Sequence, residues 1–528
     1  MSQALFSVSL YDTLGPSTTE YIINHASIPC IVTSLPHIPT LLKLKPRLPT
    51  LKVIISLDPL ENGERDGCSK KYLLNAVASD LDVKIYSIDD VESIGASFGT
   101  PLYHPPAPSD IATINYTSGT TGPPKGVTLL HSNTVAATSC VHVMFEHRPS
   151  RTTLSYLPLA HIYERMTEHG LLWCGGGIGY FHGDILQLVD DLQTLKPNAF
   201  ISVPRLYNRF GGAIRAATVE QPGFKGALSR HVIDTKVARM TPPESPNATN
   251  KHAIYDRIWG RKVASAIGLQ NAEYMISGSA PLDPSLHRFL RAVCGNKFVQ
   301  GYGLTETYAL GLCQALDDMT VGNCGGVSPS LEFCLMDVPD MEYLATDKPQ
   351  PRGEVLMRGP PVFAGYYRNP EETKKAMLPD GWFRTGDIAT IDNMGRFKII
   401  DRVKNVLKLA QGEYISPERL ENIYLSHLSY LAMAYIHGDS LQTFLVAIFG
   451  VQPDTFAPFA SKILGKTIEP TDVVGIKAAC EDAQIKKAIK KDLEFVGRKN
   501  KFAGYERVNN FKLMVDPFTI DNELLTPT

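Results

Sequence analysis

Between about residue 28 and residue 116 the chain alternates short apolar runs with helical patterns, and this alternation restricts its folds more than any other feature. The runs are residues 51–57 (LKVIISL), 83–88 (VKIYSI) and 111–116 (IATINY). Each is short, apolar and rich in β-branched residues. Strands of that kind, separated by helical segments, predict βα units and a parallel sheet covered on both faces. The fold class expected is therefore α/β.

With 528 residues the chain has room for about three domains, or for fewer large ones. Hydrophobic residues make up 44% and charged residues 20%, a composition that folds. Lys and Arg number 52 against 54 Asp and Glu, for a net charge of −2. That balance gives no electrostatic footprint for nucleic acid or for an anionic membrane. Nine cysteines include no C-x-x-C pair and are odd in number, which argues against a disulfide framework or a structural zinc site and for a reducing compartment. The first residues, MSQALFSVSLYDTLG, lack a basic n-region, and the apolar stretch 171–181 is too short and glycine-rich to span a bilayer. Membrane association thus has no visible anchor, and the terminal Thr526-Pro527-Thr528 is not an S-K-L ending. An intracellular place of work is expected, with endoplasmic reticulum, lipid droplet, peroxisome and cytosol undistinguished.

Three prolines across residues 239–250 mark a loop, and residues 353–400 read as β-rich. The character changes after Asp401. Ser416-Pro417 predicts a helix start with Ser416 as N-cap. Runs 430–436 and 443–451 flank a polar turn and predict a hairpin. A basic helix over about 481–496 sets Ile485, Ile489 and Val496 on one face and Lys486, Lys487, Lys490 and Lys491 in solvent. Two domains are expected, 1–400 and 401–528.

The strongest local signal is Tyr116-Thr-Ser-Gly-Thr-Thr-Gly-Pro-Pro-Lys-Gly126, directly after the third predicted strand. Thr117, Ser118, Thr120 and Thr121 supply hydroxyls, and Gly119, Gly122 and Gly126 permit tight turns. Lys125 adds a positive charge. Exposed backbone N–H groups with hydroxyls and one lysine make a cradle for a polyphosphate. The spacing is not that of Walker A.

Residues 117–126 resemble the signature of the adenylate-forming superfamily of acyl-CoA synthetases, peptide-synthetase adenylation domains and luciferases. Further matching phrases follow in order: LPLAHIYER at 157–165, SGSAPL at 277–282, QGYGLTET at 300–307, GWFRTGD at 381–387, GRFKIIDRVK at 395–404 and QGEYISPERLE at 411–421. Several spellings are most similar to long-chain acyl-CoA synthetases. The resemblance implies a large N-terminal domain of parallel-sheet subdomains with a small β subdomain, and a small mobile α+β C-terminal domain.

It also implies a two-step reaction. A fatty acid carboxylate attacks the α-phosphate of ATP, releasing pyrophosphate, and the thiol of CoA then displaces AMP to give acyl-CoA. Such chemistry needs donors, cations and a metal ligand. By resemblance Glu306 holds Mg2+, Thr305 contacts phosphate, and Tyr302 and Gly303 lie at the adenine with Gly278, Ser279 and Ala280. Asp387 and Arg402 meet the ribose. Asp401 matches the family hinge, and Gly412 enters the CoA path with the second orientation. His161 borders the acyl carboxylate, where general-base catalysis and a packing or gating role both stay open, the latter favoured. The apolar 171–181 segment reads equally as an alkyl tunnel wall or as ordinary core.

Against the family pattern, residues 10–15 already resemble an interior segment. The expectation is an incomplete N-terminal sheet with exposed edges, and so low solubility or a covering partner. The phrase at 522–528 stops before the family's catalytic lysine, whose loss predicts a weakened first step of about 10²-fold or more. A carrier-protein acceptor and a nucleotide-binding, non-catalytic relative are the alternatives to a CoA ligase. Chain-length preference and oligomeric state are not encoded legibly.

Overall fold

A computed structural model of the chain describes all residues except 1, 2, 12, 13, 62, 64–68, 100–102, 118–122, 146, 147, 404, 406, 411, 412, 440, 520–523 and 525–528. The largest sheet has seven strands in the order Gly326–Val327, Gly311–Cys313, Lys297–Gly303, Tyr274–Ser277, Ala199–Ser202, Thr152–Ser155, Gly177–Tyr180. The last five run parallel, and the first two fold back antiparallel. Side chains alternate across the sheet with period two. Ala199, Ile201, Tyr274 and Val299 enter one core with helices His131–Phe145 and Ile162–Cys174. Phe200, Met275 and Phe298 enter another with helices Pro204–Ala217 and Pro284–Cys294.

The runs at 51–57 and 83–88 become Val53–Ser56 and Lys84–Ser87, which join Cys30–Thr33 in a parallel three-stranded sheet. The third run does not join them. Ile111–Thr117 belongs to a separate mixed sheet, parallel to Ser7–Ser9 and antiparallel to Lys125–Leu130, with Gly365–Tyr366 on the far side. A small antiparallel sheet follows, of Glu332–Met336, Arg352–Arg358, Phe383–Ile391 and Phe397–Arg402. Its β-rich stretch is interrupted by a helix, Pro370–Ala376, that the reading of 353–400 as β did not include. No sheet closes into a barrel among the described residues.

Beyond residue 406 a distinct core forms from residues between Leu409 and Leu513. The predicted hairpin is Leu431–His437 with Leu445–Val451, and Val508–Met514 adds a parallel third strand. The basic helix is Ala483–Lys499, with Ile485, Ile489, Leu493 and Val496 buried. Ser416 holds the cap position of Pro417–His427, yet its side chain makes no cap bond. Its hydroxyl goes to Asp401 instead, so Pro at the first turn starts this helix without a side-chain acceptor. Among the described residues no helix is long and apolar enough to cross a membrane.

Candidate active site

Thr117 and Lys125 face each other as the last pair of a two-stranded antiparallel ladder, which holds the two ends of the glycine- and hydroxyl-rich motif side by side. Among the described residues after Thr117, the next helix begins at His131, beyond the second strand. Ser118, Gly119, Thr120, Thr121 and Gly122 lie outside the described residues, as does Gly412. Gly126 has a local reason: a Cβ there would come within 3.0 Å of Ile114 and 3.2 Å of the Tyr116 ring.

Strand Gly365–Tyr366 is zipped onto this ladder, opposite Thr128 and Val127, and the Tyr367 N–H donates to the Gly126 carbonyl at 2.7 Å. That places three groups beside Lys125. Its ammonium is ion-paired with Glu372 and lies 5.1 Å from the centre of the Tyr366 ring. The Tyr366 hydroxyl donates to Glu306 Oε1 at 2.8 Å. Burial pushes the Glu306 carboxyl up, while that hydrogen bond favours its charged form.

Glu306 sits in a short turn after strand Lys297–Gly303, and Tyr302 comes from the end of that strand. Close backbone packing defines the turn. A Cβ at Gly303 would meet the Ala309 carbonyl at 2.1 Å. Asp387 and Arg402 are register partners on neighbouring strands of the small antiparallel sheet. The Tyr302 hydroxyl donates to Asp387 Oδ2 at 2.6 Å, and Arg402 Nε lies 2.9 Å from Oδ1. Desolvation pushes Asp387 up and the guanidinium opposes it. The structure thus brings together residues distant in sequence: Lys125, Glu306, Tyr302, Asp387 and Arg402. Asp401 accepts the Tyr343 hydroxyl at 3.4 Å, and burial raises its carboxyl to about 6.

A cavity of about 210 Å³ joins this region to an apolar bore. At one end are Gly278, Ser279, Tyr302, Thr305 and Arg402, beyond the carboxyl ends of the parallel strands. At the other are Phe145, Thr153, Ala199 and Tyr274, at the starts of the same strands or packed there. Val141, Met144, Met166 and Leu171 from the two helices wall the length between. Gly278 is needed where it stands, since a Cβ would fall 3.1 Å from the Tyr163 hydroxyl. Ser279 adopts φ 71°, and Ala280 beside it is exposed.

His161 lines the cavity and is the N-cap of helix Ile162–Cys174. Its Nδ1 accepts the Tyr163 N–H at 3.1 Å, and burial lowers its pKa. With Nδ1 accepting, the neutral ring carries its proton on Nε2.

Of the two readings of 171–181, tunnel wall or core, neither holds along the whole segment. Leu171 reaches the cavity, but Leu172 and Trp173 are exposed, and Gly177–Tyr180 is the edge strand of the large sheet. Its glycines serve packing: a Cβ at Gly179 would lie 2.6 Å from Leu195. The bore is walled by helices His131–Phe145 and Ile162–Cys174 and by the strand starts. Tyr366 and Glu372 were missed in the sequence. Their phrase, Gly365-Tyr-Tyr-Arg-Asn-Pro-Glu-Glu, carried a helix-start signal in Asn369-Pro370 but nothing that tied it to Lys125.

Comparison with known proteins places this geometry. A family model described as AMP-binding enzyme matches residues 1–367. "Acyl-CoA ligase 891, peroxisomal" of Penicillium brevicompactum is 62% identical over 528 residues, covering 100% of this chain and 74% of the relative. "Long chain acyl-CoA synthetase 6, peroxisomal" of Arabidopsis thaliana is 37% identical over 527 residues, covering 100% of this chain and 72% of the relative. Among solved structures, the A domain of a carboxylic acid reductase from Segniliparus rugosus, in complex with AMP and a co-purified carboxylic acid, superposes with TM-score 0.75. It does so at 23% identity over 99% of this chain and 75% of that one, a likeness of fold.

Proposed function

The chain belongs to the family of AMP-binding enzymes, and we propose that it is a long-chain fatty acid–CoA ligase. The observation that carries this is one continuous cavity with nucleotide-type polar residues at one end and an apolar bore at the other. A carboxylate whose alkyl chain fills the bore has its head at Thr305 and Tyr302. Relatives named as acyl-CoA ligases and long chain acyl-CoA synthetases support the same reading.

In the first step the acid's carboxylate oxygen bonds to the α-phosphorus of ATP, and pyrophosphate leaves. Lys125, Thr117 and Thr305 would hold the phosphates. Asp387 has lone pairs beyond those used by Tyr302 and Arg402, and these would accept the two ribose hydroxyls. Gly278, Ser279 and Gly303 leave room for adenine beside Tyr302. The His161 Nε2–H would donate to the acyl carboxylate and orient it. Mg2+ fits the donor set: one oxygen of Glu306 is steadied by Tyr366, and a hard cation is bound by one or two carboxylates plus phosphates. Such an ion would neutralise charge on the leaving pyrophosphate.

In the second step the thiol sulfur of CoA bonds to the acyl carbon, and AMP leaves. The separate core of the C-terminal part and the short passage through Asp401 support a reorientation of 401–528 that would carry Gly412 to the CoA path. The names of the two peroxisomal relatives support an intracellular, peroxisomal place of work, which imaging of a tagged chain against a matrix marker tests.

The function is tested by fatty-acid-dependent ATP–pyrophosphate exchange with Mg2+, comparing a long-chain acid with a short aromatic one. CoA and a holo-carrier protein are then compared as acceptors. Exchange with the long-chain acid and thioester formed on CoA are expected. Nucleotide binding without exchange would leave a non-catalytic relative as the better reading.

A further inference from the structure

Lys125 is engaged before any substrate arrives. Its ammonium pairs with Glu372 Oε2, and both side chains are half-buried. The partner is held by built structure rather than by two loose surface chains. Gly365–Tyr366 is paired to the strand that carries Lys125. The Tyr366 N–H donates to Thr373 Oγ1 at 2.9 Å, and Asn369 caps the helix by accepting the Glu372 N–H at 3.1 Å. The first turn of Pro370–Ala376 is thereby pinned against the ladder of Thr117 and Lys125. Glu372 Oε1 has a second cation, Lys375, at 2.7 Å and largely exposed.

A carboxylate at this position opposes the function ascribed to the lysine. A polyphosphate brought to Lys125 meets the negative charge of Glu372, and the ammonium cannot serve both fully. Glu372, however, need not be left unpaired, because Lys375 stays with it. Resting on the ligase reading, we propose that Glu372 is a positioning residue. It parks Lys125 in the free enzyme, yields it to the β- and γ-phosphates of ATP while Lys375 remains its partner, and recaptures it as pyrophosphate leaves. The Lys125 pair also holds the Glu372 carboxyl down at about 2, so the carboxylate is charged throughout the working pH range.

This latch separates ligands by their phosphates. Calorimetric titration of the 528-residue chain with AMP, Mg–ATP and pyrophosphate would be run on wild type, Glu372→Gln and Lys375→Met. Glu372→Gln is expected to bind ATP and pyrophosphate about three- to fivefold tighter, the scale of a solvent-accessible ion pair. AMP affinity is expected to stay unchanged, because AMP lacks the β- and γ-phosphates. The gain should shrink at high salt. Lys375→Met leaves Glu372 with Lys125 alone and should weaken ATP and pyrophosphate by about twofold, again sparing AMP. Unchanged or weaker ATP binding in Glu372→Gln overturns the latch, as does a change shared equally by AMP and ATP, which marks a merely structural role. Wild type that binds neither AMP nor ATP would overturn the ligase reading itself.

Discussion

Tyr302 and Asp387 are joined by a 2.6 Å hydrogen bond from the phenol to a carboxylate that is 2% exposed. The two residues come from different sheets, one from the end of a parallel strand and one from the small antiparallel sheet. The bond therefore fixes the proposed adenine wall relative to the proposed ribose acceptor. It also satisfies one of the two oxygens of a buried charge whose other oxygen is paired with Arg402.

Removing the phenol tests that link. Tyr302→Phe leaves Asp387 with Arg402 alone and costs about 1–3 kcal/mol in the site's order. AMP and ATP affinity should fall together by about tenfold. Lys125→Met should instead weaken ATP and spare AMP. Titration with both nucleotides separates the two patterns.

The bore predicts chain-length selectivity. Met144 lines the bore, one residue before Phe145, which stacks on Tyr274 at the far end with ring centroids 5.3 Å apart. Met144→Trp narrows the bore before its far end. Each methylene no longer buried forfeits about 0.8 kcal/mol, or roughly fourfold in binding. Values of kcat/KM across acids of increasing length should therefore fall most for the longest, with short acids unaffected. A uniform fall would mean that Met144 does not face the chain's end.

How far the site was legible follows from how each part is spelled. Contiguous phrases around Lys125, Glu306 and Asp387 carry unusual residue combinations and could be read directly. The bore could not, because Val141, Met144, Phe145, Met166 and Leu171 recur at the spacing of any core helix. Ala199, Phe200 and Ile201 are all buried, and nothing in their sequence says which face meets a cavity. The third apolar run was correctly a strand but wrongly a member of the parallel sheet, since register and partner depend on Lys125–Leu130 and Gly365–Tyr366, which pair from afar. The Lys125–Glu372 contact spans 247 positions, and no local pattern marks it.

His161 distinguishes a cap and donor from a base. His161→Asn keeps a side-chain acceptor for the helix start, whereas His161→Ala removes it and should destabilise the protein by about 1 kcal/mol. With Nδ1 committed to the Tyr163 amide, Asn should also retain adenylation within about tenfold, the lower limit of what general acid–base catalysis supplies being about 10²-fold. Thermal melts and exchange rates on both variants check this. A loss beyond 10²-fold in a fully folded Asn variant would restore the general-base reading.

Glu164 should make the protein's stability depend on pH. It is 1% exposed, its Oε1 has no hydrogen-bond partner among the described residues, and Glu168 lies one turn on along the same buried face. Ser155 donates to Glu168 at 2.8 Å. Burial is the main force raising the Glu164 carboxyl from 4.5 to about 8, with Glu168 adding to it. The folded state thus binds a proton that the unfolded chain releases near 4.5. Stability is fully present below that value and is lost as pH rises toward about 8. Glu164→Gln removes the titration while keeping the shape. Denaturant midpoints from pH 5 to pH 9 should fall more steeply for wild type than for the variant, whose remaining slope comes from the carboxyls of Asp401, raised to about 6, and Glu421, raised to about 7. The gap should open with pH to a few kcal/mol at most, since a tenfold difference in proton affinity between the folded and unfolded chain is worth about 1.4 kcal/mol. Parallel curves would mean that Glu164 is charged in the folded protein and hydrated in place.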